Sequence, residues 1–479
     1  MSSERPAIMW FRRDLRLADN PALVEAAIGG RSVIPIYIHD DSSTERAVGG
    51  ASRWWLDKSL KALSKDLATI GSPLVLRRGA PEDVLRGLIR ETGAGAVYWN
   101  RLYDSPSIAR DTRIKCDLVA RGVQCRSFKA ALLNEPWTVT TTGGGPYRVF
   151  TPYWRATRAT TRLTLPLPAP SALTPPAMPL KGEALVSWRL HPSRPDWSAG
   201  FDGWTPGEAG ARERLDTFLS GSASHQYCQG RNQPGREGTS RLSPHIHFGE
   251  IGPRQIWASV LRAQETGNAP DADLETFLKE LGWREFNIHL LFHQPAITHS
   301  TFNTLFERFP WRIDPESMDA WRRGLTGYPI VDAGMRQLWQ TGWMHNRVRM
   351  IAASFLVKDL MIDWRLGESW FWDTLVDADL AINVANWQWV AGSGADAAPY
   401  FRIFNPTLQG ERFDAAGAYV RRWVPELSAL SDDDIHKPWM AAPARLAAAG
   451  VTLGVSYPHP IVDHSAARTR ALAAYKELS

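Results

Sequence analysis

Cysteine is scarce in this 479-residue chain. Only Cys116, Cys125 and Cys228 occur, with no C-x-x-C pair, so neither a disulfide framework nor a thiolate zinc site is expected and a reducing compartment fits. Long apolar runs are also missing: no stretch approaches the roughly 20 uncharged residues that a membrane helix needs. Met1 to Ala7 is too short and polar for a signal peptide, which makes a cytoplasmic location the expectation. No repeat at the periods of solenoids or propellers is evident. Neither sign of charge is in large excess: the formal net charge is +5 and the pI about 9.1, which permits a polyanionic partner without demanding one.

What the chain does have is tryptophan, 22 in all, with 14 after residue 200. An indole N–H wants a partner when buried, so this enrichment points to stacking surfaces or redox chemistry, with a Trp-heavy core as the plainer reading. Hydrophobic residues at 44% and charged ones at 22% place the chain among folded globular proteins. Its length exceeds what one core ordinarily serves, so two domains are expected.

Short apolar runs at Ala7 to Phe11, Val33 to Ile38, Pro73 to Leu76 and Ala96 to Trp99 read as strands. Amphipathic stretches such as Arg53 to Ile70 and Glu82 to Thr92 lie between them, and this alternation predicts an α/β N-terminal domain built on a doubly wound parallel sheet over roughly residues 5–130. Residues 161–210 hold nine of the 33 prolines, so an extended connector between domains is expected there. After Gly210 helical patterns take over, including Ala211 to Leu219, Asp273 to Phe292, Asp332 to Thr341 and Arg347 to Met361. The expected division is 1–135, a linker at 136–210, and an all-helical domain at 211–479.

Three attractive motifs have plainer readings. Gly392-Ser-Gly-Ala-Asp-Ala397 matches G-x-G-x-x-A but follows a Trp-rich helical segment and closes no βα turn. Glu285, His289 and His293 share one helix face, yet no metalloprotease or carboxylate–histidine pattern accompanies them, so no metal is expected. Gly143 to Pro146 lacks the Lys and hydroxyl of a phosphate loop and reads as a turn.

More is carried by Gly238-Thr-Ser-Arg-Leu-Ser-Pro244, whose hydroxyls and free amides at a helix start suit phosphate oxygens or an ordinary N-cap. Trp343-Met-His-Asn-Arg-Val-Arg-Met350 packs His, Asn and two forked Arg donors into one helix entry. Asp377-Ala-Asp-Leu-Ala-Ile-Asn383 and Asn386-Trp-Gln-Trp389 combine carboxylates, amides and indoles, a set that two Asp and two Arg on a surface would also produce.

Taken in order with Met9 to Leu17, Trp283-Arg-Glu-Phe286, Thr326 to Ala333 and Phe401 to Pro406, these segments resemble the photolyase/cryptochrome family along essentially the whole chain. The resemblance implies FAD in the helical domain, with Tyr227, Thr239, Ser240, Leu242 and Ser243 at its phosphates and adjoining groups. It sets Arg284, Arg349, Asp377, Asp379 and Asn383 around the isoalloxazine. It places Glu280 and Trp283 on a flipped-out lesion, lined further by Asn346, Arg347, Met350 and Trp389, and an electron relay at Trp387, Trp364 and Trp311. The implied activity is light-driven repair of cyclobutane pyrimidine dimers in single- or double-stranded DNA by a monomer; a non-repairing blue-light receptor is the alternative. Trp283 and the absence of a long C-terminal extension favour repair, and Asn346, where (6-4) photolyases normally carry a second His, favours the dimer. A second, light-harvesting chromophore is implied as well. Pro106 and Ser107 stand where folate-binding members offer Asn-Glu, so methenyltetrahydrofolate held differently is the first expectation and 8-hydroxy-5-deazaflavin the second.

Overall fold

The computed structural model describes residues 5–41, 46–162 and 164–478; most of the Met1 to Ala7 stretch weighed above as a signal peptide lies outside that range. Five strands form one parallel sheet in the order β3-β2-β1-β4-β5: β1 Ala7–Phe11, β2 Val33–His39, β3 Val75–Arg78, β4 Ala96–Asn100 and β5 Gln124–Phe128. β1 and β4 are buried at every residue, because helices cover both faces of a parallel sheet and leave its strands no polar side. Pro21–Ala27 and Gly50–Thr69 pack on one face with Met9 and Phe11, while Pro81–Thr92 and Ser105–Ala120 pack on the other with Ile8 and Trp10. The α/β expectation holds.

Two strands differ from the reading of the sequence. β3 begins two residues later than Pro73, since proline has no N–H for the ladder and pairing with Ile36–His39 starts at Val75. β5 was not foreseen: its sequence Gln-Cys-Arg-Ser-Phe is mostly polar, which an edge strand tolerates.

Beyond Thr161 the proline-rich stretch has, among the described residues, no helix longer than a 3-10 turn until Glu208. It wraps back over the sheet domain, with Leu173 N–H donating to Ile70 O at 2.7 Å and Glu183 N–H to Leu76 O at 2.8 Å. Just before it, Phe150–Thr160 is a helix that buries Phe150, Tyr153 and Thr157 on one face.

From Glu208 onward the ordered elements are helices around one large apolar cluster. Asp271–His293 is the longest helix and packs against Leu380–Ala391, which in turn packs against Trp364–Thr374. The run expected as one helix to Met361 is shorter. Asn346–Ser354 passes into a π-turn at Phe355–Asp359, and Met361 adopts φ +55°, a left-handed conformation that ends the helix. No helix among the described residues is long and apolar enough to cross a membrane.

Candidate functional site

The segment from Tyr227 to Ser243 folds back on itself. A Cβ on Gly238 would lie 2.5 Å from Gly230 O, so only glycine allows the two strands of the loop to touch. Tyr227 is buried against Phe218 and Phe277, and Leu242 is buried beside it in the same apolar cluster. Ser240 Oγ accepts from Leu242 N at 3.4 Å, and Ser243 Oγ accepts from the Trp343 indole at 3.4 Å. Thr239, Arg241, Trp343, His345 and Tyr419 then line one cleft.

His345 caps the Asn346–Ser354 helix by accepting from Arg347 N at 3.2 Å. Its other ring nitrogen is buried with no protein partner. Burial, reinforced by Arg347 and Arg349, pushes the imidazole down to about 3, so it is neutral.

Arg349 forks onto Asp377 at 3.1 and 2.8 Å and donates its Nε to Met344 O at 2.8 Å. Asp377 is buried, and the fork with its extra hydrogen bond is what makes such a pair tolerable. Asp379 caps the Leu380–Ala391 helix, with one oxygen accepting from Ala381 N and Ile382 N at 3.0 and 3.2 Å. Its second oxygen lies 3.5 Å from His247 Nδ1, too far for a good bond, and that nitrogen has no partner. Burial would raise this carboxyl, but His247, Arg284 and Arg13 outweigh it and hold the group well below the usual carboxylate range. Asn383 donates to Glu368 O and Oε1 at 3.0 and 2.7 Å, and Glu368 pairs with Arg46 of the sheet domain at 2.6 Å. Arg284 donates to Ala131 O at 2.8 Å.

A second cleft is lined by Trp283, Phe286, Asn287, Asn386, Trp389 and Asp396 among others. The two tryptophans singled out for lesion contact therefore meet at one opening. Glu280, Asn346, Arg347 and Met350 are not among its lining residues. Glu280 pairs with Arg231, and Arg347 donates to Asn232 at 2.6 Å, so both grip the same short turn. Arg347 also approaches Met350 Sδ at 3.9 Å and lies over the Phe413 ring, while Asn346 is exposed. Burial raises Glu280 above its ordinary value, and Arg231 works against that.

Trp387 and Trp364 are buried in the large helical cluster, and Trp311 packs against its edge. Trp387 stands edge-on to Phe371 at 5.0 Å and to Trp321 at 6.2 Å. The indole nitrogens of Trp364 and Trp311 have no partner, which is uncommon for buried tryptophan.

Comparison with known proteins decides the family. Residues 7–171 match the model of DNA photolyase and residues 277–477 that of the FAD binding domain of DNA photolyase. A deoxyribodipyrimidine photo-lyase of Agrobacterium fabrum is 54% identical over 98% of this chain and 97% of its own. The chain belongs to the photolyase/cryptochrome family. Within it, the crystal structure of a bacterial class III photolyase from Agrobacterium tumefaciens superposes with TM-score 0.97 at 53% identity, covering 100% of this chain and 98% of the other. Cryptochrome-1 of Arabidopsis thaliana is 39% identical over 98% of this chain and 70% of its own. The helical domain is thus a family FAD-binding domain, while Tyr227 to Ser243 fall between the two matched segments.

The residues present fit the dinucleotide. Unpartnered nitrogens of His247 and His345, the free side of Asp379 and the hydroxyls of Thr239 and Ser243 are the donors and acceptors that a flavin and its phosphates take up. Reasoning from the sequence missed Arg231, His247 and Glu368, each of which acts on a named residue from a distant place in the chain. Only the i, i+4 spacing of Tyr227 and Arg231 hinted at one of them.

Proposed function

We propose that the protein is a deoxyribodipyrimidine photo-lyase that repairs cyclobutane pyrimidine dimers in DNA under blue or near-ultraviolet light. The observation that carries this reading is the cleft where Trp283 and Trp389 converge, set in a FAD-binding domain. A dimer flipped out of the helix presents the apolar faces of two fused rings beside a polar edge, and two indoles at one opening suit those faces. Glu280 hydrogen-bonds the dimer's polar edge, and Asn346, Arg347 and Met350 are further contacts of the lesion.

Bound in its reduced form, FAD would supply the light-driven one-electron chemistry that the repair needs. Tyr227, Thr239, Ser240, Leu242 and Ser243 hold the phosphates and adjoining groups. Arg284, Arg349, Asp377, Asp379 and Asn383 orient the ring, and Trp387, Trp364 and Trp311 relay electrons to it from the surface.

We further propose that residues 1–135 form an antenna domain joined through 136–210 to the catalytic domain at 211–479. Methenyltetrahydrofolate is the first choice of second chromophore and 8-hydroxy-5-deazaflavin the second. Pro106 and Ser107 open a helix capped by Asp104, whose carboxylate takes the Ser107 N–H at 3.0 Å. That geometry offers no Asn-Glu pair to a folate. The protein acts in the cytoplasm as a monomer on single- or double-stranded DNA, gripping flanking phosphates with its basic side chains.

Titration of dimer-containing, (6-4)-containing and undamaged oligonucleotides in gel shifts tests the reading. Preference for the dimer supports it; equal affinity for all three favours a cryptochrome.

A further inference from the structure

The Trp283 ring does not stand alone. Phe150 lies flat against it, with centroids 3.7 Å apart and planes 10° from parallel, and is itself buried. Phe150 opens the Phe150–Thr160 helix, whose N-cap, Val149, has no side chain able to cap. The missing acceptor comes from 246 residues away: Asp396 Oδ2 takes the Phe150 N–H at 3.0 Å. Asp396 lines the same cleft as Trp283, on the loop that follows the Leu380–Ala391 helix.

Two more contacts fix this short helix against the long one that carries Trp283. A Cβ on Gly282 would lie 2.4 Å from the Trp154 ring, so the two helices meet with no space to spare. Tyr147 N–H, just before the helix, donates to His289 Nε2 at 3.1 Å.

We infer that Phe150 is a positioning residue for lesion recognition, held by Asp396, that closes one face of Trp283 and presents the rest of the indole to the cleft at a fixed angle. This rests on the repair reading. An unsupported indole has to give up rotamer freedom when a lesion stacks on it, whereas a backed one is ordered beforehand. Offset and stacked aromatic pairs contribute enough to make the effect measurable.

The test uses the full-length, FAD-loaded protein and oligonucleotides with and without one thymine dimer. Phe150→Leu is expected to weaken dimer affinity about three- to tenfold, leaving the undamaged-DNA affinity and the flavin absorption spectrum unchanged. Phe150→Tyr, which keeps the ring, restores dimer affinity to within about twofold. Asp396→Ala weakens dimer binding in the same selective way, and Asp396→Asn, whose amide oxygen still accepts the N–H, recovers it. Wild-type dimer affinity in Phe150→Leu overturns the inference, and so does equal loss of both affinities together with flavin. Should Phe150→Leu not fold, the Asp396 pair decides: no difference between Ala and Asn overturns it. Equal binding of both oligonucleotides by the unaltered protein would instead sink the repair reading.

Discussion

At Glu280 the side chain is a third exposed and paired with Arg231. Glu280→Ala is therefore expected to retain FAD while losing a hydrogen-bond partner of the lesion, which costs about 1–3 kcal/mol. Repair yield or dimer affinity should fall roughly tenfold or more; unchanged repair at both limiting and saturating lesion removes Glu280 from the mechanism. Trp387 is buried and edge-on to two aromatics. Trp387→Phe should block photoreduction of oxidised FAD, since Phe is far harder to oxidise, yet leave dimer splitting intact after dithionite reduction. Spectra under illumination check the first half and repair assays the second; photoreduction at the wild-type rate would pass the relay to a neighbour such as Trp321. These residues were legible because they sit inside long motifs. His247, Arg231 and Asp396 were not, because what marks them is a partner brought near only by folding.

Among the elements, Trp364–Thr374 and Leu380–Ala391 touch where Gly367 leaves room for an indole. A Cβ there would lie 2.2 Å from the far edge of Trp387 and 2.6 Å from Leu356. Gly367→Ala should cost about 1–3 kcal/mol by overpacking, partly offset by alanine's better helix propensity, and should slow photoreduction by displacing Trp387. Thermal melting and photoreduction rates check both; an unaffected melt would mean that the helices separate freely. The long helices were readable from apolar spacing, as in Asp271–His293. Tertiary contacts decided the rest. β5 takes its strand form from pairing with β4 despite a polar sequence, and Phe150–Thr160, with three Thr to weaken its propensity, is secured by Asp396 and Gly282. The end at Met361 follows a π-turn holding Lys358 and Asp359, two buried side chains whose partners, Tyr400 O and His464, periodicity does not reveal.

Across the whole molecule, the sheet domain is tied to the helical domain through several polar contacts, among them Arg46 to Glu368 and the Arg16 guanidinium to Gly249 O at 2.8 Å. Such ties explain why the two-domain plan was visible in composition while its interface was not. Acid should weaken the assembly. Burial pushes His289 down to about 4 and His345 to about 3, so both are neutral when folded. Their folded values lie below the unfolded one, so the stability they contribute is present above about pH 6.5 and lost as pH falls through 4 toward 3. Glu285, four residues before His289, runs the other way. Burial raises it to about 7, so its contribution is greatest below its unfolded value and fades as pH rises to 7. The two histidines outweigh it, and Tm should drop by roughly 3 °C between pH 7 and 4, with Glu285→Gln steepening the fall; a flat profile contradicts this balance.

The most direct test of the repair function is to illuminate chemically reduced, FAD-loaded protein with an oligonucleotide carrying one thymine dimer and follow the product by chromatography. Restored thymines in blue or near-ultraviolet light, and none in the dark or with oxidised FAD, are the expected result. A bound dimer that survives illumination while the flavin stays reduced would contradict it.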